Sequence, residues 1–128
     1  MTMPGTACIY YGTEIAMAGG HDPDCRRTMP WNAIEQGEFD AEMKELKNLI
    51  ALRNHFHQTK GTDVIWHHDP QHSRLICFDR PGADNTLRVR LNGHTEAIRV
   101  QQNETILYAR GFENDAMRPG GILITLCH

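Results

Sequence analysis

Apolar residues run along this chain in three textures, each predicting a different kind of element. Near the start, Cys8-Ile9-Tyr10-Tyr11 is an unbroken apolar burst closed by Gly12, which reads as a buried strand. About twenty residues rich in Gly, Pro, Asp and Arg follow, the texture of a long loop, and ordered loops of that length are usually functional. From Phe39 to about Phe56 the apolar residues Phe39, Met43, Leu46, Leu49, Ile50 and Phe56 recur chiefly at three- and four-residue intervals, one stripe of an amphipathic helix. Glu35, Glu38, Asp40, Glu42 and Glu45 crowd its front and Lys47, Arg53 and Lys60 its back, the polarity a helix dipole favours. Gly61 ends the pattern, as expected just past a helix terminus.

Beyond Gly61 the pattern becomes short β-like runs separated by turn residues, at 64–67, 75–78, 87–91, 97–100, 105–109 and 122–127. Strands this short and closely spaced predict an antiparallel sandwich. Leu87, Val89 and Leu91 alternate with Arg88 and Arg90, so one face is expected buried and the other wet. Asn92-Gly93 reads as a tight hairpin turn into the run ending Ile98-Arg99-Val100. Trp66, Phe78, Tyr108 and Phe112 lie among apolar neighbours and read as core, as do Cys8 and Cys77. The chain therefore divides into a strand, loop and helix over 1–60 and a β module over 61–128.

Composition narrows the classes. With 128 residues and a net charge of −3, the chain shows no basic stripe, which argues against a nucleic-acid partner. No run approaches the roughly 18 to 20 apolar residues of a membrane span, and Met1-Thr2-Met3-Pro4 lacks the character of a signal peptide. Cys8, Cys25, Cys77 and Cys127 are far apart without CxxC spacing, so reduced thiols in a cytoplasmic protein are expected. His67-His68-Asp69-Pro70-Gln71-His72 has metal-ligand residue types, but Asp69-Pro70 marks a turn that points them to solvent. No metal site and no cofactor are expected.

The run Gly5-Thr6-Ala7-Cys8-Ile9-Tyr10-Tyr11-Gly12-Thr13-Glu14, followed by Gly19-Gly20-His21-Asp22-Pro23-Asp24-Cys25-Arg26, resembles the last barrel strand and following loop of the alpha-amylase family of glycoside hydrolases. Within that family it is most similar to the neopullulanase, cyclomaltodextrinase and maltogenic amylase group. The resemblance implies an α+β fragment: the eighth strand, loop and helix of a (β/α)8 barrel over 1–60, then a domain C type antiparallel β-sandwich over 61–128. A complete barrel needs about 250 residues. It also implies an α-glucan or maltodextrin as partner of the full enzyme, with the catalytic carboxylates on strands outside this chain, so the chain alone is expected to be inactive.

In such a barrel the loop over 12–35 would rim the substrate cleft. The resemblance assigns Asp22 and Arg26 to sugar hydroxyls. The residues themselves equally allow the two to pair with each other and shape the loop. Trp31 either stacks on a sugar or plugs the packing before the helix. Tyr11, Gly12 and Glu14 are expected to be structural, fixing the loop by hydrogen bonds to backbone amides. The sequence departs from the family pattern at Gly5-Thr6-Ala7, where Gly-x-Pro is common, and at Thr28, where a second Cys often follows Cys25. A strand and helix parted from their barrel leave apolar surface open. That surface is expected to be hidden against the chain's own β module or by homo-oligomer contacts through the N-terminal segment. The alternative function is a stand-alone β-sandwich carbohydrate-binding or interaction module; a third reading gives 61–128 a purely structural role.

Overall fold

The computed structural model describes all of residues 1–128. They form two units, one of Thr6–Ala51 and one of Met1–Gly5 with Leu52–His128. No helix is long and apolar enough to cross a membrane.

The first unit holds two single 3-10 turns, Thr13–Ile15 and Asp24–Arg26, a short helix α1 (Trp31–Glu35) and most of α2 (Asp40–His55). Asp40 and Glu42 lie in the first turn of α2 and Arg53 and His55 in its last, as the charge pattern predicts. The expected strand at 8–11 does not form: Ile9 is 40% and Tyr10 58% exposed, and Cys8, expected in the core, is exposed. A strand draws its hydrogen bonds from neighbouring strands, and no strand forms in this unit to pair with residues 8–11.

The second unit is built on β1 (Ile65–His67), β2 (Leu75–Pro81), β3 (Thr86–Asn92), β4 (Ile98–Arg99), β5 (Thr105–Glu113) and β6 (Ala116–Cys127). All six predicted runs become strands. They pair antiparallel in the order β1-β2-β3-β6-β4, with β5 on the other edge of β6. Asn114 and Asp115, both at positive φ (49° and 58°), make the two-residue β5–β6 turn, the backbone type that matches strand twist.

The expected hairpin at Asn92-Gly93 is replaced by a different pairing. Ile98 and Arg99 pair with Met117 and Ala116 of β6, not with β3. Asn92, 1% exposed, instead donates its side-chain amide to the carbonyls of Glu96, Met117 and Arg118 and accepts from His94 N–H. A side chain that satisfies three carbonyls holds a wide turn open where a tight one was predicted.

Met117 and Leu123 belong to one buried cluster with Ile98 and Val100, flanked by Leu75 and Phe112. Six residues of straight strand would separate them by about 20 Å, so β6 bends between them. Gly120 (φ 69°) and Gly111 (φ 64°) and two register shifts on β5 accompany that bend. On the opposite face Phe78, Val89 and Ile124 are register partners and all are buried.

Two expectations on this sheet are corrected. Arg88 and Arg90 do not line a wet face: Arg90 is 7% exposed, because the segment after β4 lays Glu104 over both arginines. Trp66, expected in the core, is 60% exposed. It sits on the three-residue edge strand β1, where one side of its ring meets Phe78 at 5.0 Å and nothing is paired beyond.

Two further arginines tie irregular backbone to the sheet unit. Arg80, fully buried, donates Nε to Asp63 O (2.8 Å), Nη2 to Gln58 O (2.9 Å) and Gly61 O (2.5 Å), and Nη1 to Thr2 O. Arg53 donates to the carbonyls of Met1, Met3 and Gly5.

Candidate functional site

The loop between the two apolar ends of the first unit begins at a backbone position that needs glycine. Gly12 has φ 86°, and a Cβ there would come 2.6 Å from Met17 Cε. Its carbonyl accepts from both Ile15 and Met17 N–H, which closes the Thr13–Ile15 turn and buries Ile15 to 2% exposure. Sixteen residues on, Tyr11 Oη donates to Arg27 O at 3.1 Å and so pins the far end of the loop beside its start. That contact is to a carbonyl, where an amide was expected.

Glu14 takes no such role. Its Oε2 is shut off from solvent without a hydrogen-bond partner, beside a hollow of about 470 Å3 lined by Ile9, Tyr11, Met43, Leu46, Lys47 and Ile50. The hydrogen bond to backbone amide expected of this oxygen is absent.

Between the two ends, Asp22-Pro23-Asp24-Cys25-Arg26-Arg27 curls into one 3-10 turn, with a cis peptide between Asp22 and Pro23. The curl pairs acids and bases at i,i+3 and i,i+4 spacing. Arg26 Nε donates to Asp22 Oδ1 at 2.8 Å, with Nη2 on the same oxygen. Arg27 forks onto Asp24, Nε to Oδ1 at 2.5 Å and Nη2 to Oδ2 at 2.7 Å. The Arg27 fork holds the Asp24 carboxyl below its ordinary range, and Asp24 in turn raises Arg27.

The structure therefore brings Asp22 and Arg26 together, with the side chains 64% and 62% exposed. A pair this open keeps Asp22 Oδ2 and outward N–H groups for a hydroxyl-bearing ligand. Trp31, 64% exposed at the start of α1, plugs nothing in this unit. Two of the three histidines of 67–72 meet carboxylates: His67 Nε2 lies 2.8 Å from Asp79 Oδ2, and His72 Nδ1 2.8 Å from Asp69 Oδ2.

Sequence reasoning missed a charged network on the sheet. Asp79 receives a two-pronged contact from Arg88 (2.7 and 2.8 Å) together with His67, and Arg88 and Arg90 both reach Glu104. Burial alone would raise the Asp79 and Glu104 carboxyls; their arginine partners, helped at Asp79 by His67, overcome it and hold both below the usual range. The only sequence signal was the pair of arginines alternating on β3.

No family model matches the chain. Among curated proteins it is 44% identical over 108 residues to neopullulanase 2 of Thermoactinomyces vulgaris, covering 82% of this chain and 18% of that one. It is 33% identical over 101 residues to the cyclomaltodextrinase of Geobacillus thermopakistaniensis, covering 78% and 17% respectively. Among solved structures, the maltogenic amylase from S. marinus superposes with TM-score 0.74 at 27% identity, over 94% of this chain and 17% of that one. The chain thus spans less than a fifth of the length of these relatives.

Proposed function

We propose, from the premise that this chain belongs to the alpha-amylase family of glycoside hydrolases, that it is the C-terminal portion of an α-glucan or maltodextrin hydrolase of the neopullulanase, cyclomaltodextrinase and maltogenic amylase group. Residues 1–60 are the end of the catalytic barrel and residues 61–128 the domain C sandwich. The observation that carries this reading is the match to neopullulanase 2 over most of the chain.

Retaining hydrolysis of a glycosidic bond requires a nucleophilic carboxylate and an acid about 5 to 5.5 Å apart on either side of the bond. The acids of this loop do not offer that pair: Asp22 and Asp24 are each bound to a neighbouring arginine, and Glu14 Oε2 is closed off. The chain supplies contacts and support, with Asp22 and Arg26 gripping sugar hydroxyls and Trp31 offering a stacking face, while the bond-breaking carboxylates lie on earlier strands. Self-association through the exposed residues 8–10 belongs to the same reading, and a strictly monomeric chain in light scattering would remove that part. So does a cytoplasmic location, on the expectation of reduced thiols.

The test has two arms. The 128-residue chain alone, incubated with maltoheptaose or β-cyclodextrin, is expected to release no reducing ends; release would overturn the assignment of the chemistry elsewhere. In the protein encoded by the full reading frame, Asp22→Asn and Arg26→Ala are each expected to lower kcat/KM by about tenfold or more, roughly 1.4 kcal/mol of binding.

One observation favours a second reading, a stand-alone carbohydrate-binding or interaction module: Trp66 and Ile76 are both exposed on the same sheet face. Quenching of Trp66 fluorescence by maltodextrin would support it, and an unchanged signal would reject it.

A further inference from the structure

A concavity of about 860 Å3 opens on the sheet unit where β3, the start of β5 and the end of β6 meet the connection from β4 to β5. Its floor is rigid. Arg88 is held by Asp79 and Glu104, and Arg90 by Glu104 and the Thr125 hydroxyl (3.2 Å), so four charges from β2, β3 and the connection form one hydrogen-bonded array. The array is balanced, two guanidinium groups against two carboxylates, and Asp115 on the wall adds a further negative charge. An anion therefore gains nothing by entering, and a cation would have to compete with arginines already in place.

Besides Asp115 and His128, the groups left free to serve a ligand are neutral. Gln101, Gln102 and Asn103 present carboxamides and Thr105 a hydroxyl, each able both to donate and to accept. Gln102 Oε1 is shut off from solvent and has no hydrogen-bond partner. A buried acceptor in that state is unfavourable until a donor reaches it. Neutral, dense and two-way hydrogen bonding is the chemistry of a hydroxyl-rich chain, whose groups also donate and accept at once.

We infer that this groove is a binding site for a neutral oligosaccharide, separate from the loop of Asp22 and Arg26, with Gln102 as its central acceptor. That the sugar is an α-glucan rests on the function proposed above. Binding through hydrogen bonds on an open surface is weak, with dissociation constants on the order of millimolar.

The test is an NMR titration of the 15N-labelled chain with maltoheptaose, cellohexaose and sodium sulfate, following the side-chain amides of Gln101, Gln102 and Asn103. Saturable shifts of these amides with maltoheptaose are expected, weaker with cellohexaose, and reduced at least fivefold in affinity in Gln102→Leu, which keeps the side chain's bulk and removes its acceptor. Asn103→Ala and Thr105→Val give the same comparison should Gln102→Leu perturb the rest of the spectrum. Shifts with cellohexaose alone would uphold the sugar groove and overturn the α-glucan reading. Shifts with sulfate only, or with none of the three, would overturn the groove and leave the hydrolase reading to its own assay.

Discussion

Replacing Arg80 by methionine tests how the sheet unit holds its irregular backbone. The guanidinium is fully buried, and its hydrogen-bond partners are the backbone carbonyls of Thr2, Gln58, Gly61 and Asp63, drawn from the N-terminus and from the segment 58–63. Methionine fills much of the volume but donates nothing. Four carbonyls then lose their donor at about 1 kcal/mol each, about 4 kcal/mol in all. Burial and the nearby charge of Arg53 push the Arg80 pKa down, which marks the guanidinium as a cation held against its preference for water. Removing it returns part of the loss, about 1 kcal/mol, leaving a net destabilisation of about 3 kcal/mol. With a urea dependence of about 1 to 3 kcal/mol per molar, the unfolding midpoint should fall by about 1 to 3 M. The assay is urea unfolding by tryptophan fluorescence in a Trp31→Phe background, so that Trp66 alone reports on this unit. Arg80→Lys, which reaches fewer carbonyls, should fall between the two. Stability of Arg80→Met within about 0.5 kcal/mol of the parent would refute the clamp, because then the carbonyls find water or never depended on the fork.

Two other perturbations probe the sheet. Asp79 and Glu104 have folded pKa values below their unfolded ones, so their contribution is complete above the unfolded pKa of about 4 and is lost as pH falls through the depressed folded values; urea midpoints measured from pH 6 downward should drop, and Glu104→Gln should flatten that slope while lowering stability at pH 7. Asn92→Ala leaves the carbonyls of Glu96, Met117 and Arg118 without their common donor in a buried site, and a loss of about 2 to 3 kcal/mol in the same unfolding assay is expected.

Sequence alone determined a good deal here, for a physical reason that is local. The six strands, helix α2 and the glycine turn at Gly12 were all legible, because period, turn residues and left-handed backbone are properties of neighbouring residues. The motif from Tyr10 to Arg26 carried the family, since a loop sequence tied to a particular backbone and site resembles nothing else by chance.

What lay beyond the sequence was decided by partners distant along the chain. Cys8-Ile9-Tyr10-Tyr11 is apolar enough for a buried strand, yet a strand is a property of its neighbours, and here it has none. Arg88 and Arg90 alternate as a solvent face would, and only the return of Glu104 across the sheet buries them. Asn92-Gly93 had the chemistry of a tight turn, but the carbonyls of Met117 and Arg118, twenty-five and twenty-six residues on, claimed its amide. Ion pairs within one turn, Asp22 with Arg26 and Asp24 with Arg27, could be anticipated from spacing; the groove beside Gln102 could not, because its walls come from four parts of the chain that only the folded sheet brings together.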